Sequence, residues 1–163
     1  MAAQGNSMER RNNGFQVLAD EDRFGADLRY LNGRFDCKLS AKDSGGDLCI
    51  YDTLRTTKGG PPLHYHHAQD EWFFVREGEF VFQVGEDVFR LKAGDSVFGP
   101  RNVPHAFANV SDTGRLIIVY QPAGAIEQFF LNGSRLANPS PGGLASALPC
   151  SWTRNCRPPI EAR

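Results

Sequence analysis

Short strand-like runs separated by turn residues cover most of this chain, and they constrain its fold more than any other feature. From about residue 15 to residue 130, apolar or alternating runs of a few residues recur between clusters of Gly, Asn, Asp and Pro. Many short strands with regular turn signals predict an all-β sandwich or barrel. The predicted strands are 28–31, 35–39, 48–54, 63–66, 71–75, 80–84, 88–91, 96–98, 105–108 and 116–120.

The length of 163 residues favours a single domain. One short C-terminal helix is predicted over 125–131, where Ile126, Phe129 and Phe130 lie close to one helical face. We therefore expect a barrel domain over 15–131. Residues 1–14 are polar and lack periodicity, which predicts a poorly ordered segment. Residues 132–163 hold five prolines and four arginines against one acid, which predicts a poorly ordered tail or a segment lying over the barrel or a neighbouring subunit.

Charge and cysteine usage narrow the possible partners. The net charge is −1, and no clustered basic face indicates a nucleic acid or an acidic membrane as a partner. No apolar run is long enough for a signal peptide or a membrane span, so we expect a soluble cytoplasmic protein. The four cysteines include no Cys-x-x-Cys pair, and in a reducing compartment they are expected to be free thiols.

The histidines are the main chemical signal in the chain. Side chains alternate between the two faces of a strand, so His64 and His66 share one face and His67 points to the other. After a short bend, Glu71 begins the next predicted strand, and His105 lies on a later one. If these faces look into a closed barrel, three imidazoles and one carboxylate converge.

This donor set suits a divalent transition metal: Fe, Mn, Ni, Co, Cu or Zn. Four protein ligands on an octahedral ion leave two positions for water, substrate or dioxygen. A metal cation would also offset the cost of burying Glu71. A lone His-x-His is a weak signal, whereas His-x-His followed by Glu and by a later His on a Gly-punctuated strand is much stronger.

Two stretches around these residues resemble the two sequence motifs of the cupin superfamily. Residues 60–78 read GPPLHYHHAQDEWFFVREG, with a leading Gly, His-x-His, a following Glu and a closing Gly. Residues 94–109 read GDSVFGPRNVPHAFAN, which is similar to the second motif. Asn102 stands where that motif usually has Gly, and Asn is the residue that best tolerates left-handed backbone geometry after Gly.

The resemblance implies a double-stranded β-helix, also called a jelly-roll or cupin barrel. It also implies His64, His66, Glu71 and His105 as the metal ligands. His67 points to the other face by strand alternation and is not counted as a ligand. Phe73 and Phe107 share faces with ligands, and we expect them to line an aromatic pocket for a small hydrophobic substrate.

The full ligand set is similar to that of single-domain cupins grouped with quercetinase-type dioxygenases. This similarity implies a metal-dependent dioxygenase, an oxidoreductase acting on a phenol or an enol, with Glu71 as ligand or as general base. Two alternatives stay open: a redox-neutral isomerase, lyase or cyclase that uses the ion as a Lewis acid, and a non-catalytic small-molecule-binding cupin. The resemblance also implies a homodimer that pairs through open sheet edges.

Overall fold

The computed structural model describes residues 9–137. Nine strands and two helices lie within this range, joined by turns and loops. The strands are β1 (Leu28–Tyr30), β2 (Gly33–Leu39), β3 (Cys49–Arg55), β4 (Asp70–Glu77), β5 (Glu79–Val84), β6 (Asp87–Lys92), β7 (Ser96–Gly99), β8 (His105–Asn109) and β9 (Gly114–Gln121), and the helices are α1 (Ala41–Ser44) and α2 (Ile126–Ala137).

The strands form two antiparallel sheets. One sheet has six strands in the order β1-β2-β3-β9-β4-β7, and the other has three in the order β6-β5-β8. This architecture confirms the prediction of an all-β jelly-roll barrel with one C-terminal helix. None of the helices described is both long and apolar enough to cross a membrane.

Aromatic side chains on the inner faces of both sheets form the core. Phe73 on β4 packs on Phe82 of β5 with 5.1 Å between ring centroids, and Phe82 packs on Phe107 of β8 at 5.4 Å. Each fully buried side chain of this kind contributes about 1.5–3 kcal/mol. At one end of the barrel, Phe130 of α2 packs on Phe35 at 4.5 Å and on Tyr51 at 5.1 Å. The helix therefore packs against strands β2 and β3 of the six-stranded sheet.

The predicted strand at residues 63–66 is wrong, because this segment makes one isolated bridge, between His64 and His105. Pro61 and Pro62 have no backbone N–H, so the segment cannot begin a regular ladder.

The short helix α1 was not predicted. Ser40 Oγ accepts a hydrogen bond from the Lys42 N–H at 3.1 Å, and Asp43 accepts one from the Ser40 N–H at 3.2 Å. This reciprocal capping box starts the short helix.

Helix α2 continues to Ala137, so the predicted end of both the helix and the barrel domain at residue 131 falls inside the helix. Gly133 packs against Tyr30 so closely that a Cβ atom there would lie 2.7 Å from the ring. Ser134 Oγ accepts a hydrogen bond from the Arg29 N–H at 3.2 Å. These contacts with β1 keep the segment helical although Asn-Gly usually indicates a stop.

Residues 9–14 of the predicted N-terminal segment lie within the described range. There the Arg11 N–H donates a hydrogen bond to the Asp43 carbonyl oxygen at 3.2 Å. Residues 1–8 and 138–163, which include the other two cysteines, lie outside the described residues. Cys37 and Cys49 are buried free thiols, as predicted.

Candidate metal centre and its cavity

Four side chains from separate parts of the chain meet inside the barrel. One nitrogen each from His64, His66 and His105 and one carboxylate oxygen of Glu71 all lie within 4.8 Å of one another. Glu71 comes from β4, His105 from β8, and the first two histidines from the segment that precedes β4. Ligands around one ion at bond lengths of about 2.0–2.2 Å have this spacing. The convergence expected from strand alternation is therefore present.

The segment that carries His64 is tied to β8 by its backbone. Gly59 and Asn109 exchange two backbone hydrogen bonds, of 2.9 and 3.0 Å. Gly60 lies between this pairing and the bridge of His64 with His105. It passes so close to β8 that a Cβ atom would lie 1.9 Å from the Phe107 carbonyl oxygen. The leading Gly of the first motif is thus required by backbone contact with the strand that carries His105.

Backbone carbonyls fix the orientation of two imidazoles. His64 Nδ1 lies 2.8 Å from the Pro62 carbonyl oxygen, and His105 Nδ1 lies 3.0 Å from that of Val103. A carbonyl only accepts hydrogen bonds, so Nδ1 carries the proton in both rings. Nε2 is then the nitrogen suited to a metal, an arrangement common among metal-binding histidines.

Glu71 is ionised although only 3% of it is exposed. Burial raises the pKa of this carboxyl, but contacts with His105 and His66 outweigh burial and lower it to about 2. The Oε1 atom lies 2.6 Å from His66 Nε2, and Oε2 lies 3.6 Å from His105 Nε2. Burial lowers the pKa of His64 to about 4, which leaves that ring neutral at neutral pH. A neutral His64 imidazole beside the Glu71 carboxylate fits a divalent transition metal.

A cavity of about 460 Å³ opens onto His64, His66 and Glu71, and His105 lies behind its wall, 2% exposed. Its walls are mostly apolar and aromatic, and its lining residues are Tyr30, Leu31, Phe35, Arg55, Pro61, Pro62, Leu63, His64, His66, Glu71, Phe107, Ile118, Tyr120, Ile126, Phe129 and Phe130. This volume falls in the usual range for small-molecule sites, roughly 300–1,000 Å³. The cavity can therefore hold a small organic molecule beside a metal.

Two aromatic residues predicted to bind substrate occupy different places. Phe107 lines the cavity, whereas Phe73 lies in the core outside the lining and is 1% exposed. The Phe73 ring packs edge-on against Phe107 at 5.8 Å and His105 at 6.1 Å. His67 is exposed and lies outside the group of four donor residues. Its ring packs edge-on against that of Tyr65, with 4.8 Å between the ring centroids.

Sequence reasoning missed several cavity residues. Arg55 and Tyr120 line the cavity from neighbouring strands β3 and β9. Burial and the nearby Glu71 raise the pKa of Tyr120 well above its usual value, so the phenol stays protonated. One signal was available: side chains alternate between the two faces of a strand, so Arg55 falls on the same face of β3 as Tyr51.

An exposed ion pair joins β4 to the second motif. Arg101 donates to Asp70 Oδ1 from Nε at 3.0 Å and from its backbone N–H at 2.9 Å, and to Oδ2 from Nη2 at 2.6 Å. The next residue, Asn102, has φ 63°, which confirms the predicted left-handed turn. Its N–H donates to the His66 carbonyl oxygen at 2.8 Å. This turn therefore supports the backbone of His66, which is one of the four clustered donor residues.

Comparison with known proteins agrees with this geometry. Residues 54–120 match the family model described as "Cupin domain". An uncharacterized protein of Streptomyces coelicolor is 32% identical over 99 residues, which cover 60% of this chain and 81% of that protein.

Solved structures show the same fold at low sequence identity. The structure of KdgF from a Halomonas species matches with a TM-score of 0.54 at 16% identity, over 65% of this chain and 94% of that one. An RmlC-like cupin from Shewanella frigidimarina matches with a TM-score of 0.52 at 24% identity, over 68% of this chain and 96% of that one.

Proposed function

The chain belongs to the cupin family, and from this premise we propose that it is a metal-dependent dioxygenase acting on a small aromatic or enolic substrate. One observation carries the proposal: His64, His66 and Glu71 line a largely aromatic cavity, and their donor atoms lie within 4.8 Å of one another and of the buried His105. An apolar cavity with a few convergent polar groups favours a hydrophobic ligand with one or two polar atoms.

A bound divalent ion would supply Lewis acidity and open coordination positions for an oxygen donor and dioxygen. The residues of the chain provide the remaining functions. The Glu71 carboxylate, ionised under most conditions, can accept the proton of a substrate hydroxyl. The protonated Tyr120 can donate a hydrogen bond to a substrate oxygen. The rings of Phe107 and Phe130 exclude water from the cavity.

The proposal is tested by metal analysis of the purified protein followed by oxygen-uptake assays with a panel of phenols and 1,3-diketones. We expect near-stoichiometric Fe, Mn, Ni, Co or Cu and substrate-dependent oxygen uptake. Both should be lost in His64→Ala/His105→Ala, because two of four donors are removed. His67→Ala is the matched control, because that histidine is exposed and outside the cluster.

Two outcomes would contradict the proposal. Oxygen uptake that persists in the double variant would place the reaction elsewhere. Stoichiometric zinc with substrate turnover and no oxygen use would indicate redox-neutral isomerase, lyase or cyclase chemistry at the same four residues.

A further inference from the structure

Arg55 is a buried cation in the wall of the cavity described above. It is 1% exposed. Within residues 9–137 its guanidinium makes one hydrogen bond, from Nη1 to Asn32 Oδ1 at 2.9 Å, and no ion pair with a carboxylate. Its Nε–H is buried without a hydrogen-bond acceptor. Burial lowers the pKa of Arg55 to about 10, so the group is still charged at neutral pH.

The surrounding residues hold this side chain in place. The guanidinium lies over the rings of Phe35 and Phe107, with 4.9 and 5.0 Å to the centroids. Asn32 Nδ2 donates to the carbonyl oxygens of residues 57, 58 and 59 at 3.2–3.3 Å, which directs its Oδ1 to Arg55. A Cβ atom on Gly33 would lie 2.8 Å from the guanidinium carbon, so the Gly leaves room for the charged group.

Burying a charge without a counter-ion carries a large desolvation cost, and stacking on aromatic rings offsets only part of it. A purely structural residue at this position would be more stable as an apolar side chain. The cost is explained if the counter-ion is supplied by a ligand. The Nε and Nη2 edge of an arginine is also the edge that binds a carboxylate through two parallel hydrogen bonds.

The charges in the cavity point in the same direction. Among the described residues that line it, Arg55 is the one cation and Glu71 the one carboxylate, and Glu71 already contacts His66 and His105. When a divalent ion is bound beside Glu71, the cavity carries a net positive charge. Such a cavity favours an anionic ligand over a neutral one of the same shape.

We propose that Arg55 forms an anion subsite and that the substrate is a small aromatic or enolic carboxylate, whose carboxylate binds Arg55 while the rest of the molecule lies along the aromatic walls towards the metal ligands. This inference deepens the proposed function and rests on it for the substrate's reactive end. The subsite itself is formed by Arg55, Asn32, Phe35 and Phe107 and contains no metal ligand.

The test uses isothermal titration calorimetry with three carboxylates and their neutral amides: benzoate and benzamide, phenylacetate and phenylacetamide, salicylate and salicylamide. The protein is the full chain, stripped of metal with a chelator so that an ion cannot bind the carboxylate. We expect at least one carboxylate to bind about tenfold more tightly than its amide, which is the size of effect that a charged hydrogen bond gives. No preference in any pair would overturn the proposal.

Arg55→Met keeps the length and packing of the side chain and removes the charge. We expect it to lose the carboxylate preference and to bind the amides as the wild type does. Arg55→Lys, which keeps the charge without the planar fork, should retain part of the preference. Arg90→Met is the matched control, because Arg90 is an exposed residue of β6. A preference that persists in Arg55→Met would overturn the proposal.

The metal-free measurement separates this inference from the proposed function. If Arg55 is not an anion subsite, oxygen uptake by the metal-loaded wild type is still expected with uncharged phenols or diketones. If the protein is not an oxygenase, the carboxylate preference of the metal-free protein is unaffected. Each failure therefore has its own readout.

Discussion

His64 and His105 exchange both of their backbone hydrogen bonds, with the His64 N–H donating at 3.0 Å and the His105 N–H at 2.7 Å. The two residues are far apart in sequence, yet their backbones are paired as in a sheet ladder. Two of the four candidate metal ligands are therefore placed by peptide groups of the barrel. The site should exist before an ion binds, and the ion should add to the stability of a barrel that is already folded.

Metal binding is expected to stabilise the folded protein without being required for folding. The chelator-treated wild type should keep its β-sheet circular dichroism spectrum, and a metal concentration 100 times the Kd should raise the free energy of unfolding by about 2.7 kcal/mol. His64→Ala/His105→Ala should show no such increase. Urea unfolding with and without metal measures both. An unfolded metal-free wild type would contradict this prediction.

Gly60→Ala should destabilise the barrel, because the added Cβ atom would lie 1.9 Å from the Phe107 carbonyl oxygen. The segment and β8 must move apart, and we expect a loss of about 2 kcal/mol or more in the free energy of unfolding, together with weaker metal binding. Gly14→Ala is the control, because nothing lies within 4 Å of a Cβ atom there. Urea unfolding of the two variants should differ clearly, and equal stabilities would show that the contact is not a constraint.

Asn109, the last residue of the second motif, is expected to act through structure. Its side chain is fully buried, donates to the carbonyl oxygens of Thr57 and Ser111 at 3.0 and 2.9 Å, and accepts from the Ser111 hydroxyl at 2.9 Å. Asn109→Ala should cost about 2–3 kcal/mol, because buried polar groups lose their partners.

The matched control for Asn109 is Asn132→Ala, which removes one exposed hydrogen bond with Gln128 and should change the free energy of unfolding by less than about 0.5 kcal/mol. Thermal unfolding of metal-free and metal-saturated protein separates stability from metal affinity. If Asn109→Ala weakened metal binding without lowering stability, the structural role would be refuted.

The exposed ion pair of Asp70 with Arg101 gives a prediction about pH. The side-chain and backbone hydrogen bonds from Arg101 lower the pKa of Asp70 to about 2. Because the folded-state pKa is below the unfolded value of 3.8, the contribution to stability is present above pH 3.8 and is lost as the pH falls through about 2. In Arg101→Gln the pKa of Asp70 should rise towards 3.8. Carbon-13 NMR titration of the carboxyl measures it, with Arg90→Gln as a control in which the pKa should not move.

The clustering of the four candidate metal ligands was accessible from sequence, because it follows from short motifs. His64 and His66 lie in the cluster and His67 outside it, as the alternation rule predicted, although residues 63–66 form a single bridge and no strand. The spacing to Glu71 and His105 resembles the two cupin motifs. The φ of Asn102 follows from the same turn geometry. Each of these features depends on a few neighbouring residues, which is why a single sequence is enough to predict them.

The cavity walls were less accessible, because they depend on contacts between distant segments. Arg55 could be placed on the inner face of β3 from the sequence. Its neighbours could not, because Asn32 and Gly33 contact the guanidinium from a distant part of the chain and neither is a carboxylate. The extension of α2 past residue 131 depends on contacts of Gly133 with Tyr30. Neither relationship has a periodic signal in the sequence.

The aromatic face of α2 gives the cavity a wall that contributes no metal ligand. Ile126, Phe129 and Phe130 line the cavity from this helix, whereas all four donor side chains come from the barrel strands and the segment before β4. Under the proposed function, reactivity and selectivity belong to different parts of the chain. Substitutions along one face of a single helix can reshape the cavity for a new molecule while the reactive centre is kept, so the architecture is well suited to divergence in substrate range.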